Sequence, residues 1–220
     1  MKGIRIGIGI TAALLMFFST AAAQESKSFR IPRISGLNVD GSGADWGESG
    51  FRVDLVLSPD GKVLPADDFD VGFRLAWNEK GLYSLAVVQD DISFEHENLS
   101  RLWRRDSVEF FVGSKTAPSD RFQLVAASGA DPNFGKIRCR LYDHRSESLK
   151  KIPVEYEASS FVENNKAYIE AFFPWAALGF SPEMGSECTF QLVANDDDND
   201  GDGLRVAWFP SYESKGSWRE

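Results

Sequence analysis

The chain has 220 residues, 43% of them hydrophobic and 26% charged, with a formal net charge of −9 and an isoelectric point near 4.9. This composition is that of an ordinary globular protein and excludes a disordered, collagen-like or coiled-coil chain. The negative charge argues against a protein that binds nucleic acid or an anionic membrane surface. With only two histidines, the chain offers few ligands for zinc and few bases for histidine catalysis.

Residues 1–23 are predicted to be a signal peptide. Lys2 and Arg5 form a basic start, residues 6–18 are apolar, and small residues precede a cleavage site before Gln24. An uncleaved membrane anchor is the alternative, but the apolar run is short for a span. We therefore expect a periplasmic or secreted protein that makes no membrane contact after cleavage. Residues 24–36 would form a lead-in, and 37–220 a single domain.

Ten short runs of alternating apolar and polar residues follow along the chain, separated by Gly, Asp, Asn, Pro or Ser. They span residues 51–57, 71–77, 82–88, 107–113, 121–127, 136–142, 154–161, 167–173, 188–194 and 204–209. Such spacing, without alternating helices, predicts an all-β fold: an antiparallel β-sandwich of about ten strands, immunoglobulin-like or jelly-roll in type. Residues 174–180 favour one helical turn, with Pro174 at its start.

Two cysteines lie on these predicted strands. Cys139 shares its parity with Ile137 and Leu141, and Cys188 shares its parity with Phe190. Both side chains are therefore expected to point inward. In an exported protein they either form a disulfide or remain two buried thiols, because inward direction alone does not fix their separation.

An acidic loop follows the ninth predicted strand. Asp196, Asp198, Asp200 and Gly201 match the opening D-x-D-x-D-G of a calcium loop. The closing Glu of an EF-hand is missing, since position 207 is Ala, and strands replace the flanking helices. The loop is either a structural calcium site with Asp196, Asp198 and Asp200 as ligands or a solvated hairpin turn.

Two tryptophans occur in charged, loop-like surroundings. Trp103 precedes Arg104 and Arg105, and Trp218 stands between Ser217 and Arg219. A flat ring in such a place can stack on the C–H face of a sugar, although each could also be a minor packing contact. Trp77, Trp175 and Trp208 are expected in the core, and Trp46 is expected to plug the sandwich.

Several longer blocks stand in a fixed order. They comprise residues 37–46, 75–91, 103–112, 168–175 and 190–196, with Trp218 near the end. Together they resemble the sequence patterns of carbohydrate-binding module family 9 and its family-9-like relatives. The third block, W-R-R-D-S-V-E-F-F, is similar to the W-x-x-D-S-V-E-x-F of that family. The resemblance covers essentially the whole mature chain.

The resemblance implies a non-catalytic β-sandwich that binds sugar or polysaccharide chain ends, contains structural calcium and is often joined to a glycoside hydrolase. By motif position the ligand would be clamped between Trp103 and Trp218, with Glu109 on the following strand. Gln123 stands where the family has an Arg. The family usually continues with one more strand, so after Glu220 that strand is expected either to be absent or to lie beyond a truncated end.

Two other functions fit the sequence less well. A haem- or redox-binding sandwich needs axial ligands, for which the mature chain has His96, His144 and Met184. A glycoside-active enzyme needs a pair of carboxylates, and 33 acidic residues make many pairs available. Both therefore remain alternatives to carbohydrate binding.

Overall fold

The computed structural model describes residues 28–54, 56–58, 65–114, 121–145, 147, 150, 154–178, 187–200 and 203–209. Its strands are β1 (Phe51–Val53), β2 (Phe69–Trp77), β3 (Gly81–Asp90), β4 (Ser107–Ser114), β5 (Arg121–Ala127), β6 (Arg138–Asp143), β7 (Glu157–Glu163), β8 (Lys166–Pro174), β9 (Cys188–Asp196) and β10 (Leu204–Ala207). Two 3₁₀ helices span Ala44–Trp46 and Leu99–Arg104, and α1 spans Trp175–Leu178. The predicted signal peptide lies outside these residues, and no helix within them is long and apolar enough to cross a membrane.

All ten strands fall where the alternating pattern predicts them. The largest shift is at β1, which ends at Val53, while Leu57 forms only an isolated bridge with Ala207. The predicted helical turn is α1, and Pro174 is the last residue of β8 before it.

The strands form two five-stranded antiparallel sheets. Sheet A has the order β1-β2-β3-β8-β7, and sheet B has the order β10-β9-β4-β5-β6. Rings from both sheets meet in the core between them: Phe73 and Phe110 are 6.1 Å apart edge-to-face, and Phe122 and Phe173 are 5.2 Å apart. Apolar burial of this kind is the main stabilising contribution, and the predicted antiparallel β-sandwich is confirmed.

The turn between β7 and β8 shows how local sequence sets the register. Asn164 and Asn165 have φ of 51° and 60°, and the flanking residues Glu163 and Lys166 pair with each other. Asparagine tolerates this left-handed backbone, and a two-residue turn with both φ positive matches the twist of the strands it joins.

The N-terminal segment covers the outer face of sheet A. Trp46, which is 1% exposed, donates from Nε1 to Glu170 Oε1 at 2.7 Å. The amide of Gly41 donates to Glu170 Oε2 at 2.6 Å. Gly41 has φ of 88°, and a Cβ there would lie 2.5 Å from the carbonyl carbon of Ser160, so a side chain does not fit. Trp46 is buried, but it packs on the outer face of sheet A, so the prediction that it plugs the space between the two sheets is wrong.

The two cysteines are not bridged. Both are free thiols, and the strand register carries Cys139 across the sheet to Ala194, six residues along β9 from Cys188. Three strand spacings and six residues amount to about 25 Å, whereas a disulfide joins Cα atoms about 4.4–6.8 Å apart. Burial raises the pKa of Cys139 to about 12 and that of Cys188 to about 11, so we expect both thiols to be weak nucleophiles near neutral pH.

Candidate functional site

Glu109 on β4 and Gln123 on β5 project from the outer face of sheet B. Val108, Phe110 and Leu124, which alternate with them, fill the core. Nε2 of Gln123 donates a hydrogen bond to Oε2 of Glu109. The fold thus brings together two of the residues that the sequence singles out as ligands.

The Glu109 carboxylate is fully buried among donors of the protein. Its Oε1 accepts a hydrogen bond from Nδ2 of Asn195 at 2.9 Å and forms an ion pair with Nη1 of Arg205 at 3.0 Å. A buried carboxylate is costly without such partners, so this network holds Glu109 in one position. Direct hydrogen bonds from a ligand to Glu109 stay a prediction.

Trp103 stands on the 3₁₀ helix Leu99–Arg104, which packs on the same face. Leu102, wholly buried, anchors this helix against Val125 and Ala127 of β5. The neighbouring Trp103 ring is 38% exposed, and the guanidinium carbon of Arg104 lies 5.0 Å from its centroid. Trp103 is therefore a surface ring on a fixed support and not a core residue.

Tyr142 fixes the helix from the side of β6. Its hydroxyl donates to the carbonyl of Ser100 at 2.9 Å, and Tyr142 pairs with Gln123 across the strands. Sequence analysis missed Tyr142, as it missed Asn195 and Arg205. The signal was available for Tyr142, since it has the opposite parity to the inward Cys139 within one strand.

The second predicted ring, Trp218, lies outside the described residues, as does Gly201 of the acidic loop. Its place opposite Trp103 therefore stays a prediction.

Carboxylates from separate segments converge at one end of the sandwich. Asp90, Asp196 and Asp198 each offer an oxygen within 4.8 Å of the others, and Asp68, Asp91 and Asp198 form a second such group. Asp196 and Asp198 are the residues that the calcium-loop spacing predicts. Sequence analysis missed the rest, although the pair Asp90-Asp91 at a strand end was a visible signal.

The residues fit a hard cation. The Oδ1 atoms of Asp196 and Asp198 are buried without a hydrogen-bond partner. A cation bound between them would coordinate both oxygens and so offset the cost of burying them. Carboxylate oxygens are the ligands that calcium prefers. The third predicted ligand, Asp200, belongs to neither of the two groups found among the described residues.

Burial and mutual repulsion change the titration of this cluster. Burial, followed by the charge of Asp90, raises the pKa of Asp196 to about 7. Burial, helped by the charge of Asp198, raises the pKa of Asp90 to about 6. Burial and then the charge of Asp90 raise the pKa of Asp106 to about 9. A bound cation would favour the ionised forms of these groups.

A cavity of about 230 Å³ opens beside the cluster, lined by Asp90, Asp106 and Lys166 among others. Asp90 and Asp106 are hydrogen-bonded to each other, and Asp106 also accepts the amide of Asp197 at 2.8 Å. Neither His96 nor His144 lines this cavity.

Comparison with known proteins identifies what this arrangement is similar to. The sequence matches the family described as "Carbohydrate family 9 binding domain-like" over residues 39–219. A carbohydrate binding module family 9 from Caldicellulosiruptor kristjanssonii, solved in complex with cellotriose, is 17% identical, with a TM-score of 0.61 and 86% of each chain covered. Its complex with glucose gives 16% identity and a TM-score of 0.58, covering 84% of this chain and 87% of that one. No curated protein matches the sequence.

Proposed function

The chain belongs to the carbohydrate family 9 binding domain-like family, and from this premise we propose that it binds carbohydrate, without catalysis, on the outer face of sheet B. The observation that carries the proposal is the exposed Trp103 ring held on a buried support beside the hydrogen-bonding groups of Glu109 and Gln123. Small-molecule sites commonly combine these two elements, aromatic surface and a few fixed polar groups. The cellotriose and glucose bound by the structural neighbours make sugars the first ligands to test.

The Trp103 plane would stack on one face of a pyranose, and Trp218 would cover the opposite face. A ring enclosed on both sides is accessible at a chain end, whereas a unit within a chain is blocked by its neighbours. We therefore propose that sugar or polysaccharide ends are preferred. Gln123, which can both donate and accept, would bind hydroxyls directly. Glu109 would orient Gln123 and accept hydrogen bonds from sugar hydroxyls.

We also propose calcium as a structural cofactor at the acidic end. Asp196 and Asp198 would hold the ion together with Asp90, and Asp91 and Asp68 lie close enough to contribute to it or to a second ion. The ion would neutralise repelling carboxylates and tie the ends of β3 and β9, which belong to different sheets. We keep Asp200 as a proposed calcium ligand because the spacing of the acidic loop predicts it.

The biological setting of the proposal is export, with the signal peptide removed. In the periplasm or outside the cell, the module would hold polysaccharide near a glycoside hydrolase. The support for this setting is the pattern of residues 1–23 and the family assignment.

The two alternatives gain nothing from the geometry. Nδ1 of His96 accepts a hydrogen bond from the amide of Asn98 at 3.0 Å, the ring of His144 lies 6.4 Å from that of Tyr142, and neither histidine lines the cavity beside the acidic cluster. Met184 lies outside the described residues. Among the described residues, the carboxylates of Asp90, Asp196 and Asp198 converge in a way that suits a cation.

Calorimetric titration of the purified protein with glucose, cellotriose and a panel of other neutral and acidic sugars tests the proposal. Trp103→Ala should weaken binding at least about thirtyfold, since losing a central aromatic contact costs about 2 kcal/mol or more. Phe161→Ala is the matched control, because Phe161 is an exposed aromatic ring on sheet A. Binding of no sugar by the wild type, or equal binding by a folded Trp103→Ala, would refute it.

A further inference from the structure

The outer faces of the two sheets differ in charge. Among the described strand residues, the outer face of sheet A has three basic and four acidic side chains: Arg52, Arg74, Lys166, Asp70, Glu157, Glu163 and Glu170. The outer face of sheet B has four arginines and one acid: Arg121, Arg138, Arg140, Arg205 and Glu109. In a chain of net charge −9, this concentrates positive charge on the face with the candidate site.

Two of these arginines are neutralised within the protein. Arg205 pairs with Glu109 at 3.0 Å, and Arg138 pairs with the buried Glu95 at 2.9 Å. Arg140 is different, because it is exposed and forms no ion pair with any residue in the described part of the chain. The carbon of its guanidinium group lies 5.8 Å from the centroid of the Tyr142 ring.

Arg140 stands within reach of the site. It pairs with Val125, which pairs in turn with Glu109, so two strand spacings, about 10 Å, separate the Cα atoms of Arg140 and Glu109. Tyr142 stands two residues further along β6, opposite Gln123, and both charges act on it: burial raises its pKa, the Arg140 charge lowers it and the Glu109 charge raises it. A sugar bound over Gln123 can therefore present a substituent to the Arg140 guanidinium.

The 3₁₀ helix that carries Trp103 adds positive charge to the same rim. Arg101 and Arg104 are both exposed and have no ion pair among the described residues. Both charges act on His96. Burial lowers the pKa of His96 most, and the charges of Arg105, Arg101 and Arg104 lower it further. A neutral sugar offers this group of arginines no charge to pair with.

We propose that the sugar end bound at this face carries an oxyanion, which pairs with the Arg140 guanidinium while Trp103 stacks on the ring. This inference rests on the proposed function and specifies its ligand class. The planar guanidinium fork matches a carboxylate or sulfate with two parallel hydrogen bonds. The anion is the carboxylate of a uronic acid or a sulfate ester. The surrounding acidic protein repels anions, which makes a local basic rim necessary for such a ligand.

The test compares matched free sugars by calorimetry at about 20 mM salt: glucose against glucuronic acid and against glucose 6-sulfate. We expect one acidic member to bind at least about tenfold more tightly than the neutral one, which identifies the source of the anion. The preference should shrink about threefold or more at 0.5 M salt, because ions screen exposed charges.

Arg140→Gln should remove the preference and leave binding of the neutral sugar unchanged. Arg52→Gln, an exposed strand arginine on the opposite sheet, is the matched control and should keep the preference. If neutral and acidic sugars bind equally, or if Arg140→Gln keeps the preference, the inference is wrong while the proposed function stands. If no sugar of either kind binds, both are wrong.

Discussion

Replacing Glu109 by Gln tests whether the buried network holds the candidate site together. Its carboxylate is 0% exposed and meets Asn195, Arg205 and Gln123. An amide of the same shape keeps one acceptor oxygen and turns the other into a donor. The Gln123 amide can rotate to accept from this new donor, so that contact costs little. The principal loss is the negative charge opposite Arg205.

The magnitude follows from the exposure of that arginine. Hydrogen bonds to charged groups contribute about 1.5–3 kcal/mol, and breaking a fully buried ion pair costs about 3–5 kcal/mol. The Arg205 side chain is 30% exposed, so water partly replaces the lost partner. We therefore expect Glu109→Gln to reduce the free energy of unfolding by about 2 kcal/mol, with Tm lower by about 4–8 °C for a chain of this length.

Urea unfolding followed by tryptophan fluorescence measures this loss, and a double-mutant cycle assigns it. Arg205→Gln removes the orphaned charge, so the double variant should be more stable than the sum of the two single losses by at least about 1 kcal/mol. A Glu109→Gln variant within about 0.5 kcal/mol of wild type, together with additive single losses, would show that the network does not stabilise the site.

Three further results are expected. In the presence of a chelator, the free energy of unfolding should fall as pH rises from about 5 to 9, because the pKa values of Asp90, Asp196 and Asp106 are raised to about 6, 7 and 9 and their protonated forms favour folding. Saturating calcium at about 100 times its Kd should add about 2.7 kcal/mol of stability at pH 7. Thermal melts that are identical with and without calcium would reject the site. Both cysteines should react with a thiol reagent at pH 8 only after unfolding, since burial raises both pKa values, and mass spectrometry should find no disulfide; rapid labelling of the folded protein would contradict this. Gly41→Ala should cost roughly 2 kcal/mol or more in thermal unfolding, because it combines a strained φ with a backbone clash, whereas Gly36→Ala, which strains φ but meets no atom within 4 Å, should cost less.

The strands could be predicted from the sequence because alternation is a local property. A strand that packs one face on a core must place an apolar residue at every second position. Residues 121–127 show this alternation in the sequence. The direction of side chains on strands followed in the same way: Glu109 points outward and Cys139 points inward. Trp103 was expected at the surface because Arg104 and Arg105 follow it in a loop-like stretch.

The order of strands within the sheets was decided only by the tertiary structure, since residues far apart in sequence become neighbours through packing and hydrogen bonds. The distance between Cys139 and Cys188 depends on that order, which excluded the disulfide. The acidic site shows the same division. The spacing of Asp196 and Asp198 was visible in the chain, but Asp90 joins them because β3 and β9 end side by side in different sheets. Burial of Glu109 likewise required its donors Asn195 and Arg205 to arrive from β9 and β10. Direction along a strand is thus determined locally, whereas proximity, burial and charge balance arise from the packing of the whole chain.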